Sequence, residues 1–303
     1  MTARPSLFER AAEIYDFESG LRVDPVPADL PPRPEPAEPI APLAKQPEPP
    51  PRPAPRPVRT GPHRAAEIDR VALEESGQLV PDGPSSALAE ETRIIKRRLL
   101  KAIDGRMNQD PRARVAVIAS GQSGEGKTFL ALNLALSIAG EHERAVLLID
   151  GDTSQPEIAR RLGIDAETGL VDALADRDVD PESLVIDTDV EGLSILPAGR
   201  RERNVPELLA SARTEEVLER LLAADPQRVI LIDSPPALAA STASVLAGHA
   251  GQTLVVVRAD LTSEADLKET VGLLGGPARL SLVLNSASLS IGGRRFGQYE
   301  ENR

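Results

Sequence analysis

Between two apolar segments lies Gly121-Gln122-Ser123-Gly124-Glu125-Gly126-Lys127-Thr128, with glycines five positions apart followed by lysine and threonine. Glycine lets backbone N–H groups turn inward around phosphate oxygens, and a helix opening at Lys127 adds the positive end of its dipole. Lys127 would neutralise the β and γ phosphates of a nucleotide, and the Thr128 hydroxyl would ligate Mg²⁺. The cradle then comprises Gly121, Gln122, Ser123, Gly124, Glu125 and Gly126, with Lys127, Thr128 and Phe129 on the first helical turn.

A phosphate loop alone only binds; transfer chemistry needs placed carboxylates. "VLLIDGD" puts Asp150 and Asp152 at the carboxyl end of one apolar run, and "VILIDSPP" puts Asp233 at the end of another. In an open parallel sheet, ligands sit at that edge. Asp233 would hold the Mg²⁺ shell, directly or through water. Asp150 or Asp152 is placed to take the proton of an attacking hydroxyl or water.

These residues need a scaffold. Six short apolar runs, at 114–120, 144–150, 193–198, 228–234, 253–259 and 280–285, alternate with helical patterns. They are apolar throughout, as strands covered on both faces by helices must be. The pattern predicts a doubly wound α/β domain with a mostly parallel sheet over 85–290. Its leading helix, "SSALAEETRIIKRRLLKAID", carries Leu88, Ile95, Leu99 and Ile103 on one face. The helix after the loop carries Leu130, Leu134 and Ile138 on one side.

Ahead of that domain, residues 24–62 hold 16 of the 28 prolines and almost no bulky apolar side chains. Such a segment cannot bury enough surface to offset its ordering entropy, so 23–84 is expected to be a disordered linker. Residues 1–22 form an island in which Leu7, Ala11, Ile14, Phe17 and Leu21 recur at helical spacing, with Ser6 and Glu9 as a capping box. Residues 291–303 form a tail containing Tyr299.

Composition excludes several functions. There is no cysteine, hence no disulfide, thiolate site or cysteine nucleophile. The three histidines, His63, His142 and His249, are scattered and make no zinc site. A net charge of −12 with no basic stretch longer than a few residues argues against nucleic acid as a partner. No apolar run is long enough to span a membrane, and the N-terminus lacks a secretory h-region, so the chain is expected in the cytoplasm.

Taken together, "SGQSGEGKT", "LLIDGDTSQP", "ILIDSPPAL", "LVVVRADLTSEADL" and "LVLN" resemble, in order, the bacterial tyrosine kinases of exopolysaccharide synthesis, themselves part of the P-loop group that includes the partitioning and division-site ATPases. "EETRIIKRRLL" and "SLFERAAEI" are similar to the exosortase-associated branch. The resemblance implies ATP and Mg²⁺ as cofactors and an autokinase that phosphorylates its own tail in trans, with Tyr299 as acceptor. Lys127, Asp150, Asp152 and Asp233 would be catalytic, Thr128 and Asp233 metal-binding, and Asn285 would meet the adenine ring.

It also implies a ring held by Glu90, Arg93 and Lys96, and a separate membrane polysaccharide co-polymerase as partner. Lysine at 96 replaces an arginine, keeping the charge but losing the planar fork. Gln122 replaces the signature lysine of the partitioning branch. The family's tail bears a tyrosine cluster, whereas this tail has one tyrosine. That departure leaves a second expectation, an ATP-hydrolysing switch acting on the co-polymerase without tyrosine transfer.

Overall fold

The computed structural model describes residues 64–141, 143–275 and 280–287. Among them the chain builds one eight-stranded sheet of order β1-β4-β5-β3-β6-β2-β7-β8. The strands are β1 (Arg64–Ala66), β2 (Val115–Ser120), β3 (Ala145–Asp150), β4 (Ile186–Thr188), β5 (Leu193–Leu196), β6 (Arg228–Asp233), β7 (Gln252–Arg258) and β8 (Leu280–Asn285). Every pairing is parallel except β4 with β5. All six strands expected from the apolar runs are present, and the doubly wound class is observed.

Alternation within each strand feeds two cores. Ala116, Ile118, Val146, Leu148, Val229 and Leu231 face one side; Val115, Val117, Leu147, Ile149, Ile230 and Ile232 face the other. Helices α2 (Ala87–Asp104), α3 (Lys127–Ala139) and α4 (Ile158–Arg161) supply apolar side chains to the first core. Helices α5 (Leu170–Ala175), α6 (Val205–Leu209), α7 (Ala212–Ala224) and α8 (Thr242–His249) supply the second. Helix α9 (Glu264–Leu273) follows β7. Helix α3 is buried almost all round rather than on one side, because it runs between the sheet and α2.

The strand order explains the site's location. From β2 the chain crosses β6 to reach β3, while β6 leads back across β2 to β7. The crevice at the carboxyl end of β2 is therefore the switch point, where ligands of such sheets bind.

Residues 64–84, expected within the linker, form part of the described fold. Strand β1 pairs with β4, and α1 (Arg70–Glu75) follows it, capped by the Asp69 side chain. Ile68 and Leu73 are buried in the first core. The Ile68 N–H donates to Asp189 (2.8 Å) and the Leu79 N–H to Asn133 (2.8 Å). Two buried apolar side chains and distant acceptors hold this segment, and neither leaves a periodic local pattern. The island 1–22, most of the linker and the tail 291–303 lie outside the described residues.

Candidate functional site: the phosphate loop and its carboxylates

Strand β2 ends at Ser120, and the loop 121–126 delivers the chain into α3. Gly124 (φ 82°) and Gly126 (φ 103°) occupy the left-handed region, which favours glycine. At Gly126 a Cβ would also lie 2.1 Å from Asn285 Nδ2. Gly126 caps α3 with no side-chain hydrogen bond, so no cap competes for the first N–H groups of that helix.

Distant residues brace the loop. Glu125 is fully buried; its carboxylate accepts the Gln122 N–H (2.8 Å) and the Thr262 hydroxyl. Asn285 Nδ2 donates to the Glu125 carbonyl (2.9 Å), and Arg258 Nη1 to the Gly124 carbonyl (3.0 Å). Gln122 Nε2 donates to Asp266 (2.8 Å), and the Ser120 hydroxyl to the Gln122 carbonyl (2.8 Å). Ser123 and Gly124 form the exposed tip. The loop is legible in the sequence, but its braces Thr262, Arg258 and Asp266 are not. They lie more than 130 positions away, and only the pairing of β7 beside β2 brings them near.

The three aspartates differ in environment. Both oxygens of Asp150 are engaged: one accepts the Asp152 N–H (3.2 Å), the other those of Glu157 and Ile158 (3.0 Å each). Burial pushes its carboxyl up to about 6, with these amides pulling the other way and Asp152 adding to the rise. Asp150 thus organises the loop that follows β3. Asp152 accepts Ser154 Oγ (2.7 Å) and the Gln155 N–H (3.1 Å) on one oxygen and presents the other to Lys127 Nζ at 3.6 Å.

Asp233 is 1% exposed, and its Oδ1 has no hydrogen-bond partner. Burial pushes its carboxyl up to about 7, against the pull of Lys127 and the Thr128 hydroxyl. An orphaned, buried acceptor beside a threonine hydroxyl suits a hydrated cation. Mg²⁺ is usually held by one or two carboxylates plus substrate phosphates, so the absence of any cluster of three ligating side chains among the described residues is compatible with such a site.

Phe129 and Asn285, both expected at the nucleotide, line one mainly apolar cavity of about 380 Å³ between α2 and β8. The residues expected to join subunits do not share an exposed face. Glu90 and Arg93 pair with each other, each half-exposed. Lys96 is buried, donates to the Ser137 carbonyl (2.9 Å) and pairs with Glu141. It ties α2 to the end of α3 within its own chain. Tyr299 lies outside the described residues.

A glycine loop opening a helix at the switch point of a doubly wound parallel sheet defines a P-loop NTPase fold. The AAA domain family model matches residues 113–272. The VpsO kinase domain is 35% identical, with a TM-score of 0.52, covering 63% of this chain and 96% of that one. The BceF tyrosine kinase domain is 32% identical, with a TM-score of 0.55, covering 65% and 76%. The tyrosine-protein kinase Wzc of Salmonella typhimurium is 33% identical over 178 residues, 58% of this chain. The chain belongs to the AAA domain family, among the bacterial tyrosine kinase domains. It spans only 24% of the length of Wzc, and likewise 24% of EpsB of Ralstonia nicotianae.

Proposed function

We propose that the chain is an ATP-dependent protein tyrosine autokinase that phosphorylates Tyr299 of a neighbouring copy and regulates exopolysaccharide synthesis or export. The observation that carries this is the convergence at the β2 edge of Lys127, one oxygen of Asp152 turned to it, and the orphaned Oδ1 of Asp233 beside Thr128. Phosphoryl transfer needs little covalent help from a protein; it needs positioning and compensation of charge.

In this reading the loop amides and Lys127 hold the β and γ phosphates, and Phe129 and Asn285 bound the base. Thr128 and Asp233 would hold Mg²⁺, which neutralises charge between those phosphates. The tyrosine oxygen bonds to the γ phosphorus, the bond to the β–γ bridging oxygen breaks, and ADP leaves. Asp152 takes the phenolic proton; Asp150, with its oxygens spent on backbone amides, holds the loop. A phosphate on Tyr299 adds nearly two negative charges beside Glu300 and Glu301, which favours release of the tail and disassembly of the ring. With Lys96 turned inward, Glu90 and Arg93 carry the ring contact. The membrane partner is a separate co-polymerase chain, which places this chain peripherally at the membrane. No described helix is long and apolar enough to cross one.

The lone tail tyrosine favours a second reading, in which the same site hydrolyses ATP as a switch on the co-polymerase. Labelled ATP with Mg²⁺ separates the two. Label on the wild-type protein that disappears in Lys127→Met and is reduced in Tyr299→Phe supports the autokinase; turnover without labelled protein supports the switch.

A further inference from the structure

Strands β3 and β5 are hydrogen-bonded neighbours, so their carboxyl ends open on the same edge. A cavity of about 450 Å³ lies there, lined by Asp150, Arg160, Pro197 and Gly199 among others. That is a size suited to a small ligand group. From its wall the chain runs on as Gly199-Arg200-Arg201-Glu202-Arg203-Asn204, a basic stretch in an acidic protein.

The base of this loop is fixed. Asp172 accepts the N–H groups of Gly169 (2.9 Å) and Arg200 (3.2 Å) and pairs with Arg200 Nε (2.8 Å). Gly199 (φ 87°) packs so closely that a Cβ would lie 2.4 Å from Asp172 Oδ2. Just beyond this anchor Arg201 and Arg203 are exposed, and neither makes an ion pair among the described residues. Arg160, which lines the cavity, stands exposed, its Glu157 partner shared with Arg161.

The chain has two tyrosines, and an acidic residue follows each: Tyr15-Asp16 and Tyr299-Glu300-Glu301. We propose that Arg201 and Arg203 read the acidic residues that follow the acceptor tyrosine. The substrate class is then tyrosine followed by aspartate or glutamate, and Tyr15 is a second acceptor beside Tyr299. This rests on the autokinase reading and adds no step to it: the same Tyr oxygen–phosphorus bond forms, ADP leaves, and Asp152 takes the proton. Each exposed pair contributes little, so two of them give a preference of about three- to tenfold, weakened by salt.

The test uses the full chain carrying Tyr15→Phe and Tyr299→Phe, so that only added peptide accepts phosphate. Three peptides span 297–303: the natural one, one with Gln at 300 and 301, and one with Lys there. The natural peptide is expected to exceed the Gln peptide about three- to tenfold in kcat/KM, through KM. Adding Arg201→Glu and Arg203→Glu should reverse the order, so that the Lys peptide leads. Mass spectrometry of the otherwise unaltered chain should find phosphate on Tyr15 as well as Tyr299. Equal transfer to all three peptides, or a preference that survives the charge reversal, overturns the role of the arginines. An unmodified Tyr15 overturns its place as an acceptor. No phosphotyrosine on any peptide or on the unaltered chain overturns the autokinase reading itself.

Discussion

The carboxylate with most at stake is Asp233, and replacing it by asparagine separates its structural cost from its function. Its carboxyl titrates near 7 in the fold instead of 3.8, chiefly because it is buried. A carboxyl raised in this way contributes stability that is fully present below the unfolded value and is lost as pH rises through the folded one. The difference of about three pH units corresponds to about 4 kcal/mol, lost mostly between pH 4 and pH 7. The Asp233→Asn side chain has no charge to desolvate, so this loss vanishes in the variant. Without nucleotide, the stability gap between Asp233→Asn and wild type should therefore grow by about 3 kcal/mol from pH 4 to pH 8. In a domain of this size that is about 10 °C in Tm in favour of the variant. The same variant should lose phosphoryl transfer, having lost the anion proposed to face Mg²⁺. Thermal melts of both proteins at intervals from pH 4 to pH 8 read the effect. A gap that stays constant with pH, or a variant less stable at pH 8, would refute the reasoning.

Three further outcomes follow from the same geometry. Asp150→Ala leaves three backbone amides without an acceptor and should lower stability by about 2–4 kcal/mol in thermal melts, whereas Asp152→Asn should leave the melt near wild type and reduce the transfer rate. Gly126→Ala should abolish nucleotide binding in calorimetry, since its Cβ meets Asn285; Gly126→Ala with Asn285→Ala should recover part of it, the strain of the positive φ remaining. Lys96→Met should lower stability by about 1–3 kcal/mol without changing the sedimentation coefficient, and Arg93→Ala should do the reverse.

Much of this fold is local chemistry and is legible in the sequence. Runs such as "VLLID" and "VILID" are apolar at every position before the aspartate, which only a strand buried on both faces requires, and the glycine spacing of 121–126 is tied to a single backbone shape. What is not legible is set by distance along the chain. Glu125 reads as a charged loop residue, yet it is buried because Thr262 satisfies its carboxylate. Lys96 reads, by resemblance, as a contact between subunits, yet the end of α3 draws it inward. Asp150 and Asp152 look alike in "LLIDGD"; only the loop returning through Glu157 and Ile158 makes one a brace and leaves the other facing Lys127. The β1–α1 segment escapes notice because it is held by a few long-range bonds and two buried side chains.

The central claim is that this site moves a phosphoryl group from ATP to a tyrosine of another copy. It is tested most directly by mixing two variants, Tyr15→Phe/Tyr299→Phe as donor and Lys127→Met as acceptor, with Mg·ATP. The account predicts phosphate on Tyr299 of the Lys127→Met chain, at a rate that rises with donor concentration. Turnover of ATP by the donor with no phosphotyrosine on the acceptor would contradict it.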